Sequence, residues 1–360
     1  MFTLRFVLLL SIGLTVGTIN TYGHRSNPKL IPFERAGKWG FINSKGVVVV
    51  KPGFDEVKPF SEGLAVVEKD LKWGFIDANG NYVIEPKFYI AFSFSEGLAA
   101  VTIENPGTWG YINHDGEFVI SPKFSWAGTF SDGMAEVLMA PDLSKPQISK
   151  TGYIDRTGKL VIPAKYGWSE SFSDGFALIA DDQPNSSEKH TSEYFNKRAF
   201  IDKTGRRVTE FYQSAESFSE GLAPVEINSL WGFIDTKGKV VIRPAYDFVL
   251  RPFENGFAVV SCLNDKLAFI DRRGKKLTSC IFSEAFAFTE GVAAVQMPNK
   301  KFGFINTKGK GVVEPRFSWA DSFLNGLAKV RLNRKDGVYE GFINHRGQYI
   351  VQPIKRTGDD

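Results

Sequence analysis

Short runs of apolar and β-branched residues, about five long, alternate along this chain with polar turn residues, and the alternation itself repeats. One stretch shows the logic. Leu64–Val67 is apolar, Glu68–Leu71 turns the chain, and Lys72–Ile76 is again apolar and aromatic. Asp77–Gly80 is a second turn, and Tyr82–Ile84 is a third run that stops at Pro86. Runs of this length and composition, bounded by turn residues, predict strands, and a proline, which has no amide to give a ladder, marks a strand end. The unit reads as a three-stranded antiparallel meander.

The second turn recurs nine times. Its glycines are Gly46, Gly80, Gly116, Gly158, Gly205, Gly238, Gly274, Gly309 and Gly347, each four residues after an isoleucine. A period of roughly 32 to 48 residues defines a repeat array in which recurring residues build the unit. The residue after each isoleucine is an acceptor: Asn43, Asp77, Asn113, Asp155, Asp202, Asp235, Asp271, Asn306 and Asn344. An Asx side chain there bonds backbone two residues on, and glycine then takes the left-handed conformation of a type I turn with a G1 bulge. Asn serves as well as Asp, so the slot needs an acceptor and no charge, and these aspartates are rejected as acid/base catalysts. A second glycine follows about 17 residues later, preceded by Glu62, Glu96, Asp132, Asp174, Glu220, Asn255, Glu290 or Asn325, again a structural cap or turn. Phe54, Phe88, Phe124, Tyr166, Tyr246, Phe282 and Phe317 recur eight residues after the turn glycine and are expected to pack one unit on the next, because one meander cannot bury its own apolar face.

Two features escape the repeat. The connection between first and second strands, about four residues in the second unit, runs from Leu138 to Lys150 in the fourth, from Ala180 to Lys197 in the fifth and from Arg331 to Glu340 in the ninth. Such loops fall on one face of a repeat protein, often the binding face. Trp126, Trp168 and Trp319 each lie ten residues after a turn glycine, where other units have Glu56, Ile90, Ala215, Phe248 or Glu284. Trp126 and Trp168 come from neighbouring units and could form adjacent flat platforms for a partner or a sugar ring. The plainer reading of all three is inter-unit packing.

Lys38-Trp39-Gly40-Phe41-Ile42, echoed at Lys72–Ile76 and Leu230–Ile234, resembles the WG (or KWG) repeat, as do Phe60-Ser61-Glu62-Gly63-Leu64-Ala65 and its copies. The match covers nearly all of residues 28–353, with departures where Thr151, Leu267, Phe302 and Glu340 replace the tryptophan and around Ala199. The resemblance implies a repeat scaffold and carries over no functional residues.

Composition narrows the function classes. The 360 residues are 43% apolar and 14% aromatic, with a net charge of only +4 and no Lys/Arg run, which speaks against nucleic acid as a partner. Residues 1–23 have a short positive start, an apolar stretch from Phe6 to Gly17 and small residues near Gly23, the pattern of a secretory signal peptide. The membrane is a partner only if this segment stays uncleaved as an anchor. Cys262 and Cys280 have no metal or redox spacing. They fall on the first and third strands of one meander, which are not neighbours, so a disulfide is not expected. His114 and His345 occupy a turn position that is normally solvated, and no histidine is framed with a nucleophile or in a zinc pattern. A carboxylate pair of the glycosidase type would require two acids converging in a cleft.

The reading is therefore an all-β tandem array of about nine three-stranded antiparallel meanders in one domain, residues 24–360. A propeller-like ring is favoured over an open arc or β-solenoid. The expected function is that of an exported (periplasmic, secreted or cell-envelope), monomeric, non-enzymatic binding or scaffold protein without cofactor, catalytic residue or metal. It would recognise a protein partner through the face with the long hairpin loops. The alternative is a cell-envelope glycan bound on Trp126, Trp168 and Trp319.

Overall fold

The computed structural model describes residues 27–105, 107–139, 150–180, 197–262 and 265–356. Residues 1–23, expected to be a signal peptide, and most of the two longest hairpin loops lie outside the described residues. The described residues are all-β, in small antiparallel sheets with no helix. In the second unit Ala65–Lys69, Lys72–Ile76 and Tyr82–Phe88 form the expected meander. The predicted turns form in all nine units: each Asx oxygen accepts the amides two and four residues on, as Asp77 does from Asn79 and Asn81 at 2.9 Å.

The sheets hold one element more than the pattern predicts. After the third strand, a very short strand at the slot ten residues past the turn glycine pairs with the first strand of the next unit. Glu56–Val57 pairs with Val67–Glu68 in this way, and Trp319–Ala320 with Val330–Arg331. The second, eighth and ninth units are thus four-stranded sheets, the third and fourth share one seven-stranded sheet, and in the fifth, sixth and seventh some of these pairings shrink to isolated bridges. Two-residue strands carry no alternation of their own, which is why the pattern misses them.

The glycine of the Trp-Gly pair has a steric cause. The third strand shifts register opposite it, and a Cβ on Gly74 would lie 2.6 Å from the Ile84 carbonyl oxygen. The fifth and seventh units carry Ala199 and Ala268 instead, and their third strands are reduced to single ladder contacts, such as Arg198 with Tyr212 and Leu267 with Phe282. In both, a threonine hydroxyl takes over the amide left behind: Thr209 accepts from Phe200 at 3.1 Å and Thr278 from Phe269 at 3.2 Å. The relaxed seventh unit also corrects the cysteine expectation. Cys262 and Cys280 form a disulfide, with Cα atoms 6.2 Å apart, because the segment before Phe282 is no longer held in a regular ladder.

Units are joined by apolar cores and by carboxylate staples. Phe88, from the recurring aromatic slot, packs with Phe75 and Ile84 of the second unit against Phe94 and Ile112 of the third. Glu62, at φ 52°, occupies a strained left-handed position in a two-residue turn. Its carboxylate reaches across to the amide of Gly97 in the next unit at 3.0 Å. Glu96, Asp132, Asp174, Glu220 and Glu290 do the same for Gly133, Gly175, Gly221, Gly256 and Gly326. The histidine expectation is likewise corrected. His114 is buried, stacked on Phe94 at 4.1 Å with Nε2 3.2 Å from Glu62, while His345 makes the same contacts to Phe323 and Glu290 but stays partly exposed.

The ninth unit packs on the first. Ile31, Phe33 and Ile42 share a core with Leu327 and Phe342, and Asn325 donates to the Leu30 carbonyl at 3.1 Å. Gly46 rests on Val351 as Gly80 rests on Val50. The seam thus shares core packing and the turn-glycine contact with the other junctions, while its first strand has no short-strand partner among the described residues.

Candidate functional site

The short fourth strands bring together two signals that are far apart in sequence. Trp126 pairs with Leu138, at the stem of the long hairpin of the fourth unit. Trp168 accepts at its carbonyl from Ala180 at 3.0 Å, at the stem of the long hairpin of the fifth. Trp319 pairs with Arg331 where the ninth hairpin extends through Ala328–Arg334 and Gly337–Ile343. Every tryptophan in this slot therefore stands at the foot of an extended hairpin. Glu56 and Ala215, in the same slot, face first strands whose hairpins turn tightly at Asp70–Leu71 and Asn228–Ser229.

The three indoles differ in exposure. Trp126 is 36% and Trp168 38% exposed, in sheets of adjacent units. Trp319 is half-buried between the eighth and ninth units, edge-on to Phe286 with centroids 5.6 Å apart, and its Nε1 donates to Asp321 at 2.8 Å. It belongs to packing, while Trp126 and Trp168 offer surface. Arg198 takes the Trp slot of the second strand in the fifth unit and lays its guanidinium over Trp168, 4.2 Å from the ring centre. That contact holds the indole and places a cation over one of its faces.

Behind these platforms lies a polar cluster that the sequence pattern does not announce. Glu136 is buried in a first-strand slot filled by Val66, Ala100 and Leu178 in other units. Ser169 donates to it at 2.7 Å and lies 2.8 Å from the Thr151 hydroxyl. Burial, reinforced by the nearby Glu170 charge and opposed by the Ser169 bond, raises the Glu136 carboxyl to about 7. Ser217 of the sixth unit donates in turn to Glu170, and burial raises Glu216 as well. These groups link three successive units through polar contacts. Among the described residues no group of three or more His, Cys, Asp or Glu side chains is placed to hold a metal ion.

Residues 39–73, 73–105, 109–139, 152–182, 200–231, 231–266, 268–301 and 302–335 each match the WG containing repeat. The chain belongs to the WG-repeat family. No curated protein matches this WG-repeat chain at a significant level. Among solved structures, it is similar to the computationally designed Ika8 protein (12% identity, 76% of this chain and 91% of that one, TM-score 0.45). It is also similar to BamB from Moraxella catarrhalis (12%, 76% and 96%, TM-score 0.41) and apo AztD from Citrobacter koseri (13%, 82% and 92%, TM-score 0.39).

Proposed function

We propose that this WG-repeat protein is an exported, non-enzymatic binding or scaffold protein that grips a partner with the face bearing the long hairpins. One observation carries the reading: the two exposed tryptophans stand at the feet of the two longest hairpins, in adjacent units. Variable loops over a rigid, aromatic-studded base make a recognition surface, since the scaffold holds its shape while the loops set the fit. Export is supported by the N-terminal pattern and by the Cys262–Cys280 disulfide, a bond that persists in oxidising compartments.

The second reading places a cell-envelope glycan on the same platforms. Flat indole faces suit the apolar CH surface of a sugar ring, and the Arg198 guanidinium at Trp168 would meet its hydroxyls. The test titrates the secreted chain, residues 24–360, with purified cell-envelope glycans by tryptophan fluorescence, alongside pull-downs from envelope extracts. A saturable signal weakened about tenfold or more by Trp126→Ala with Trp168→Ala supports the glycan. Capture of a protein lost with the same pair supports protein recognition. A pair that binds everything as the parent does removes this face from consideration.

A further inference from the structure

Every first strand from the second unit onward is flanked on both sides. At the slot of Val66, the carbonyl accepts from a short strand: Val66 from Lys58 at 2.9 Å, Ala100 from Phe92 at 2.9 Å, Ala294 from Phe286 at 3.0 Å and Lys329 from Asp321 at 2.9 Å. Proline in this slot does not prevent it, because Pro224 accepts from Glu216 at 3.1 Å. The first unit differs. Its first strand, Leu30–Arg35, pairs with Lys38–Asn43 alone among the described residues, and no described donor reaches the carbonyls of Pro32 or Glu34.

A cavity of about 370 Å³ runs along this strand at the seam between the first and ninth units. Its apolar floor includes Phe33, Ile42 and Phe342. Four cations, Arg35, Lys329, Lys355 and Arg356, line it against two carboxylates. Of those two, Glu340 is bonded to Arg331 at 2.6 Å and Glu34 lies 4.0 Å from Arg356. Lys329 and Lys355 make only loose pairs, each 3.9 Å from an aspartate.

We propose that this seam is a second binding site, for an extended acidic peptide that adds itself as the fourth strand of the first unit. Its amides donate to the Pro32 and Glu34 carbonyls, the arrangement every other unit makes internally, and β-strand addition draws its affinity from such main-chain bonds. Apolar side chains on one face of the added strand meet Phe33 and Phe342. Acidic residues meet Arg35 and Lys355, so charge selects the peptide while the edge sets its conformation. The site lies at the stem of the ninth unit's extended hairpin, away from the fourth and fifth units, and does not depend on Trp126 or Trp168.

The probe is a fluorescein-labelled Val-Glu-Val-Glu-Val-Glu hexapeptide, titrated into the full chain by fluorescence anisotropy. Saturable binding is expected, with the Val-Lys counterpart at least about tenfold weaker. N-methylation at alternate residues, which removes the donating amides and leaves charge intact, should lose binding about tenfold or more. Arg35→Glu with Lys355→Glu should invert the preference toward the Val-Lys peptide, with an unchanged circular dichroism spectrum as the folding control. Trp126→Ala with Trp168→Ala should leave the affinity unchanged. Equal binding of the N-methylated peptide, or indifference to the charge reversal, overturns the proposal. So does binding that appears only after residues 357–360 are removed, which would make the chain's own tail the occupant. If the charge-reversed variant does not fold, the N-methyl comparison on the parent chain decides.

Discussion

The second and fifth units are built on one plan and use tryptophan in opposite ways. In the second, Trp73 is 9% exposed and packs in the core between units, while the short-strand slot holds Glu56. In the fifth, Arg198 occupies the Trp73 position and Trp168 appears in the short-strand slot, 38% exposed and stacked with that arginine. The second keeps Gly74 and a full third strand, whereas the fifth has Ala199, a broken third strand and Thr209 as a stand-in acceptor. Residue type alone therefore does not mark a platform. The slot decides.

The contrast can be broken at several points. Trp73→Ala should cost about 3 to 5 kcal/mol in denaturant unfolding, the range for emptying a buried aromatic site, while Trp168→Ala should stay within about 1 kcal/mol. Equal losses would erase the distinction between core and platform. Gly74→Ala drives a methyl into the Ile84 carbonyl and should cost roughly 3 kcal/mol or more, against about 1 kcal/mol or less for Ala199→Gly. Removing the disulfide with Cys262→Ser and Cys280→Ser should cost about 3 kcal/mol, for a loop with a sequence separation of 18, seen as a fall in Tm.

The smallest effect concerns pH. Glu136 holds its proton more tightly folded, at about 7, than at its ordinary value of 4.5. The stability from this raised value is fully present below about pH 4.5 and is lost as pH rises through 7. The swing should be about 2 to 3 kcal/mol, and Glu136→Gln should flatten that part of the stability profile. A parent profile that is already flat across this window would mean that Glu136 is solvated.

Much of the fold was legible because the repeat displays its own constraints. Nine Asx residues at one turn position announce an acceptor, and nine acceptors form. What stayed hidden depends on pairing between units. Where the fourth strand stands alone it is often only two residues long and mixes types freely, from Glu56–Val57 to Trp319–Ala320, so no periodicity marks it. Without that strand, the tryptophans and the hairpins look like unrelated anomalies. The disulfide was missed because a regular meander was assumed where Ala268 had already loosened one. His114 and His345 were missed because each turn packs on a phenylalanine of its own unit, Phe94 or Phe323, and meets a carboxylate of the preceding unit, Glu62 or Glu290.

The carboxylate staples have a consequence for ancestry. Each reaches forward in the chain, from one turn to a glycine amide in the next unit, so each junction offers the coupling that the preceding one accepted. A coupling that is the same at successive joints makes its parts interchangeable. A gene built this way can lengthen or shorten by whole units without redesigning a joint, and each copy so gained arrives with a hairpin free to diverge.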